Sequence, residues 1–471
     1  MESRRCPREG ALYMNLKRIL TQTLMARIIQ LSEGDPADAI GGNGNRQISA
    51  TAGNRDRGIL PSNSVPGKAK RRRAYSSEED NPMMNEISRR AAIKTGAALV
   101  GLSALEIPAW ISPTLAQSEE VIPWTDVPNS FNPSAGTGPH SLDTRTIQKS
   151  SFITPPDEFY VVQHYGPTVV DPTGYKLRLS GHVNKPLELT LEELKRRPRK
   201  ELIAGFECSG NNPARLNTLV GNAHWAGTSV AGLLKDAGLK STAREVVFFG
   251  ADHGTEEIAH GGGQPQEYEQ NFARSLSLED AMNPDVLLVW EMNGAPLPPP
   301  HGGPVRLLIP GWYGICNAKW LNHIQIQDTR FMGRFMARDY VTLMQKKDGD
   351  QTIWEETSVS RIQLKTMVAR LTRNEGNLVA TGFALNDGTP LRSIEIRVDG
   401  GPWQAAKLDR DNTKYSWKLF TYEFAAPGPG DHTIVSRATD INGNVQPEEA
   451  DLQSKRSRWE NNAQFVRKFK V

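Results

Sequence analysis

The sequence predicts two folds in succession, an α+β domain over residues 118–345 and an all-β sandwich over residues 346–471. Three observations carry this. Short apolar strand patterns mix with short helical ones through the first of these regions. From Gln363 onward strand patterns succeed one another with turns between them and no helical period. The composition, with 10 Trp, 41 Gly and 31 Pro, fits a strand-rich and loop-rich globular protein better than helical arrays.

The chain opens differently. Residues 1–82 are polar, rich in Gly, Asn and Arg, and weakly patterned, and are expected to be a disordered or non-native extension. Residues 16–31 allow one short amphipathic helix. The basic run at residues 68–73 reads as a solvated charge run. A net charge of +3 on 471 residues gives no electrostatic case for nucleic-acid binding. Ser88-Arg89-Arg90-Ala91-Ala92-Ile93-Lys94 then fits the S-R-R-x-x-[IL]-K pattern of a twin-arginine signal. The apolar stretch at 95–105 is too short to span a bilayer, and Glu106 and Pro108 break its continuation. Thr114-Leu115-Ala116 offers small residues at a cleavage site. Residues 83–117 are therefore expected to direct export of an already folded protein, leaving a periplasmic mature chain.

Residues 118–158 are Pro-rich and are expected to wrap over the surface. Strand patterning starts at Phe159-Tyr160-Val161-Val162 and continues at 175–181, where apolar and polar positions alternate. Residues 189–194 predict a helix capped by Thr190, and 229–237 a helix ended by Gly238. Apolar strands are predicted at 246–250 and 286–290. In the second domain, strands at 378–384, 394–398, 415–420 and 432–438 are separated by turns such as Asp399-Gly400-Gly401 and Asn442-Gly443. Strands at this spacing, without helices, predict a sandwich of immunoglobulin type.

The chemistry centres on Phe206-Glu207-Cys208-Ser209-Gly210-Asn211-Asn212. An apolar run leads into it and small polar residues come after it, which predicts Cys208 at a strand end where the chain turns. The three cysteines, Cys6, Cys208 and Cys316, lie far apart and form no C-x-x-C pair, which argues against a zinc site or a dithiol redox pair. Three readings of Cys208 remain: a small buried hydrophobe, a nucleophile in need of a histidine, or a soft thiolate ligand to a metal whose other ligands come from a cofactor.

The third reading gains from the motif's surroundings. C-[SA]-G-N is succeeded along the chain by Trp225, Glu291-Met292-Asn293-Gly294, His301-Gly302-Gly303-Pro304-Val305-Arg306, Pro310-Gly311-Trp312, Lys319-Trp320 and Arg338-Asp339-Tyr340. From about Phe159 to the C-terminus this order resembles the sulfite oxidase family of molybdenum–molybdopterin enzymes. The resemblance implies that Cys208 ligates the metal. It implies that His301, Arg306, Lys319 and the backbone around Asn317 hold the pterin phosphate, and that Asp252 accepts hydrogen bonds from the pterin ring. Tyr340 and His164 would face the substrate. Two positions depart from the family. Val162 stands where F-[FY]-x-R-x-H has arginine, and Asn212-Pro213-Ala214-Arg215 replaces a basic pair, with Arg215 displaced. A further arginine of the family's second domain has Lys414 as its nearest counterpart.

The resulting expectation is a periplasmic molybdopterin-dependent oxidoreductase that moves an oxygen atom to or from a small substrate, sulfite or a related sulfur compound. The alternatives are a sulfoxide or N-oxide reductase of the same family, a non-catalytic periplasmic binding protein, and a cysteine hydrolase. No C-x-x-C-H occurs, so no covalent haem is expected in the chain. A separate electron-transfer partner such as a cytochrome is expected instead, with homodimerisation through the C-terminal domain.

Overall fold

The computed structural model describes residues 120–129, 131, 133, 140–148, 150–258 and 263–471. The expected extension and export signal lie outside the described residues.

Two sheets build the first domain. One is antiparallel, in the spatial order Arg306–Leu308, Leu287–Met292, Val220–Ser229, Lys200–Glu207. The other runs Leu187–Thr190, Lys176–Gly181, Leu321–Gln327, Glu245–Ile258, Gln266–Ser277, with a single parallel pairing between Lys176–Gly181 and Leu321–Gln327. Both expected helices are present. Thr190 and Glu193 form a reciprocal capping box over Leu191–Lys195. The helix Val230–Ala237 buries Val230, Leu233 and Leu234 and stops at Gly238, whose φ of 66° no β-carbon hinders.

The second region is a two-sheet sandwich. Lys365–Asn374, Asn377–Leu385 and Lys418–Ala425 form the centre of one sheet, and Leu391–Val398, Asp431–Asp440 and Arg467–Lys470 belong to the other. Val368, Leu371, Leu378 and Phe420 from the first meet Ile394, Ile396, Ile434 and Phe469 from the second in one buried cluster. Residues from the start of the described chain join it. Glu120–Val121 pairs with the edge of Lys365–Asn374, Trp124 is buried edge-on against Phe469, and Asp126 accepts two hydrogen bonds from Arg467 at 2.8 and 2.9 Å.

Three sequence expectations change. Phe159-Tyr160-Val161-Val162 is not a strand; Val161 makes only an isolated bridge to His140. Phe159, Tyr160 and Val161 are all buried in succession, so the run lines a wall and never alternates between two faces. The predicted strand at 415–420 starts later, at Lys418, because Tyr415 and Trp417 turn away to bond the first domain: Gly205 N–H donates to Tyr415 O at 2.8 Å and Trp417 N–H to Asn222 Oδ1 at 3.2 Å. A hairpin of Val341–Asp348 and Gln351–Ser358 was not anticipated, since its residues are mostly exposed and carry no apolar stripe.

One ion pair crosses between the sandwich and the cysteine motif. Lys365 Nζ donates to Glu207 Oε1 at 2.5 Å and to Asn217 Oδ1 at 3.1 Å, and both charged side chains are fully buried. Removing one partner strands a charge in the core. Lys365→Met is therefore expected to destabilise the protein by about 3–5 kcal/mol, whereas Lys365→Met with Glu207→Leu loses much less. Denaturation midpoints of the three proteins measure this, and equal losses in the single and double variants would refute it.

Candidate active site

Cys208 follows the last residue of the strand Lys200–Glu207. Its N–H donates to Leu219 O at 3.0 Å, and its carbonyl accepts from Asn211 N at 2.9 Å. The Asn211 side chain ties the loop together, donating to Glu207 Oε1 at 3.0 Å and accepting from Leu219 N at 3.1 Å. Leu216 and Asn217 take left-handed φ values of 51° and 50° to close the turn. The thiol is half-buried, and burial pushes its pKa up, against the N–H of Gly210. A metal cation would reverse that direction, because coordination deprotonates a thiol.

The thiol opens on a cavity. Cys208, Asp252, His301, Arg306, Asn317, Lys319, His164 and Tyr340 all line it, together with Val162, Phe272 and Tyr160. The eight residues that the resemblance assigns to metal, pterin and substrate thus converge. Arg215 does not line the cavity. It is exposed on the short turn Pro213–Arg215. Lys414 lies elsewhere too, over the ring of Tyr415.

The charge balance of the cavity is lopsided. The Arg306 guanidinium is buried, donates to the carbonyls of His301 at 2.8 Å and Asn317 at 3.1 Å, and sits over the rings of Phe206 and Trp225. Burial draws it down to about 10. Lys319 donates to Pro300 O at 3.0 Å; burial, with Arg306 beside it, pulls it down to about 7. Asp252 is the one carboxylate on the cavity wall among the described residues. Burial pushes it up to about 6, and its Oδ1 is buried without a hydrogen-bond partner. His301 donates from Nε2 to Pro156 O at 2.6 Å, and burial lowers it to about 4, so the ring is neutral at pH 7. Glycine is needed at 302, where φ is 102° and an added β-carbon would come within 2.8 Å of the Lys319 side chain. The Asn317 side chain is spent on the fold, accepting from Ile309 N at 2.6 Å and donating to Tyr313 O at 3.0 Å.

Across the cavity, Tyr340 OH and His164 Nε2 are hydrogen-bonded at 2.7 Å. Burial lowers His164 to about 4 and raises the Tyr340 hydroxyl, so both are neutral at pH 7. Phe272 and Phe335 flank His164, and Val162 completes this wall.

Sequence reasoning missed two residues beside the site. Lys365 holds the cysteine loop from the sandwich, and Trp459 stacks on Tyr340 with ring centroids 4.2 Å apart. Neither belongs to a local motif.

This set fits a molybdopterin. A buried guanidinium and ammonium facing one carboxylate call for an anion such as a phosphate. The unpartnered Asp252 oxygen calls for an N–H donor, and Cys208 offers one soft ligand. Arg306, Lys319 and His301 would hold the phosphate, Asp252 the ring, and Cys208 the metal.

Comparison with known proteins agrees. The family of oxidoreductase molybdopterin binding domains matches residues 164–335. Human mitochondrial sulfite oxidase is 28% identical over 375 residues, covering 72% of this chain and 65% of that protein. Arabidopsis thaliana sulfite oxidase is 27% identical over 352 residues, covering 65% of this chain and 85% of that protein. The chain thus matches less than two thirds of the length of the mitochondrial relative. The crystal structure of the sulfane dehydrogenase SoxCD from Paracoccus pantotrophus shares the fold, with a TM-score of 0.60 at 22% identity over 84% of this chain and 100% of that one. Residues 164–335 match an oxidoreductase molybdopterin binding domain, and the chain is similar to the sulfite oxidases over most of its length.

Arg306→Ala is expected to yield folded protein with less bound molybdopterin, since a charge-assisted bond to phosphate is worth about 1.5–3 kcal/mol. Pterin fluorescence after oxidative release measures this, and undiminished occupancy would refute the assignment.

Proposed function

We propose that the protein is a molybdenum-dependent oxidoreductase that transfers an oxygen atom between water and a small sulfur compound. The observation that carries this is the convergence of Cys208, Arg306, Lys319 and Asp252 with the Tyr340–His164 pair on one cavity. When bound, the metal supplies two-electron oxygen-atom chemistry. The chain's own groups do the rest. Arg306 and Lys319 neutralise the cofactor's phosphate in a site that excludes most water. Tyr340, neutral and anchored by His164, presents a hydroxyl to the substrate. In the oxidising direction the substrate gains one oxygen from water and releases two protons and two electrons. A separate carrier such as a cytochrome takes the electrons.

The substrate is bulkier or less charged than sulfite itself. Val162 stands at the cavity wall where the family pattern has arginine, and Phe272 lines the same cavity. The displaced Arg215 is exposed and Lys414 lies at another depression, so neither replaces the missing fork. We further read residues 83–117 as a twin-arginine export signal, which makes the mature enzyme periplasmic. The sandwich serves as an immunoglobulin-like dimerisation domain, as the resemblance to the family implies.

The test compares steady-state oxidation of sulfite with that of larger sulfur compounds, in the unaltered enzyme and in Val162→Arg. A fixed cation in a partly dry pocket favours a bound oxyanion, so Val162→Arg is expected to lower KM for sulfite about tenfold, roughly 1.4 kcal/mol, and to weaken the native reaction. Strong sulfite turnover in the unaltered enzyme, undisturbed by the substitution, would overturn the substrate reading.

A further inference from the structure

A segment near the end of the chain docks on the cysteine site, and no motif singled out in the sequence includes it. Lys455–Arg456 pairs with Leu343 and Met344, directly after Tyr340 in the chain. Thr342 Oγ1 donates to Glu460 Oε2 at 2.7 Å, and Lys455 Nζ donates to the Glu460 carbonyl at 2.5 Å. These bonds hold Glu460 at a φ of 58°, a conformation uncommon for a residue with a side chain. In that conformation its N–H donates to Ser209 O at 2.7 Å, one residue beyond Cys208.

Trp459 is locked between these anchors. Its Nε1–H donates to Asp339 O at 2.5 Å. One face stacks on Tyr340, with centroids 4.2 Å apart and planes 19° from parallel. The Arg458 guanidinium lies 4.4 Å from the ring centroid. The ring edge packs on Gly210, where an added β-carbon would stand 3.2 Å from Trp459 Cζ3 and 3.9 Å from Cys208 Sγ. A β-carbon at 210 would require the indole to give by a few tenths of an ångström.

We propose that Trp459 is a positioning residue: a rigid plate between Gly210 and Tyr340 that sets the Tyr340 hydroxyl relative to the Cys208 sulfur and shields that sulfur on one side. Tyr340 and Cys208 come from segments with no direct hydrogen bond between them among the described residues, and the indole spans the gap. Glu460 fixes the height of the plate through Ser209, and Tyr340 passes the constraint on to His164. This inference rests on the active-site reading above, yet its first test needs no turnover.

In cofactor-free protein, the alkylation rate of Cys208, tracked by peptide mass spectrometry to separate it from Cys6 and Cys316, reports the shield directly. Trp459→Ala is expected to raise that rate about tenfold, because thiol reactivity depends on access. Trp459→Phe keeps a plate and is expected to stay near the unaltered rate. Gly210→Ala retains the tryptophan but pushes it aside, and is expected to raise the rate as well. In loaded enzyme, Trp459→Ala is expected to lower kcat by about a hundredfold with little change in KM, as misplacement of a reacting group by an ångström does, and Trp459→Phe to recover most of it. An unchanged Cys208 rate in both Trp459→Ala and Gly210→Ala would overturn the proposal. So would a Trp459→Phe variant as impaired as the alanine one. Altered thiol access in a protein that binds no molybdenum would leave the plate standing and defeat the active-site reading instead.

Discussion

The structure turns on buried positive charge without a matching negative one. Arg306 and Lys319 face the same cavity, their donors satisfied only by backbone carbonyls, with the single carboxylate Asp252 opposite. Desolvating a cation costs on the order of several kcal/mol, and carbonyl dipoles offset only part of that. The depressed pKa values of Arg306 and Lys319 and the raised one of Asp252 are consequences of this burial. The remaining cost is recovered when an anion enters. Everything around the cavity keeps these groups in place: the turn at Gly302 that admits the Lys319 stem, the aromatic seat of Arg306 on Phe206 and Trp225, and the Asn317 side chain that shapes the loop beneath.

The cysteine loop answers to a second constraint. It is the loop that joins the strands Lys200–Glu207 and Val220–Ser229, and its contacts with the sandwich fix its orientation. Lys365 reaches Glu207 and Asn217 from one side, and the backbone of Glu460 reaches Ser209 from the other. Behind the loop, Gly205 approaches residues 415–417 so closely that a β-carbon there would collide with Leu385 and the Trp417 backbone. Metal ligation by Cys208 would need the thiol held within a fraction of an ångström, and these contacts from distant parts of the chain supply that rigidity. The buried Lys365–Glu207 pair adds specificity of docking more than net stability.

Much of the fold could be read from residue patterns, and the failures are instructive. The capping box at Thr190 and Glu193 and the stop at Gly238 are local chemistry, so the helices stand where the sequence puts them. Cys208, Asp252, His301, Arg306 and Lys319 were found because each sits in a short motif, and they meet on one cavity. Phe159-Tyr160-Val161 misled because an apolar run looks alike whether it is a buried strand or a cavity wall. The hairpin of Val341–Asp348 and Gln351–Ser358 is held by backbone pairing and leaves no apolar stripe. Trp459 and Lys365 escaped notice because a lone tryptophan and a lone lysine signal nothing until tertiary contact brings them to Tyr340 and Glu207.

Whether the cavity holds a molybdenum-bearing pterin phosphate is read most directly by metal and pterin analysis of the purified protein, paired with its melting temperature before and after the cofactor is extracted. The expectation is about one molybdenum and one pterin phosphate per chain, with a clear fall in melting temperature on extraction, because a ligand that binds only the native state stabilises it. A folded protein, isolated from cells that make the cofactor, that carries neither and melts no lower after the same treatment would contradict it.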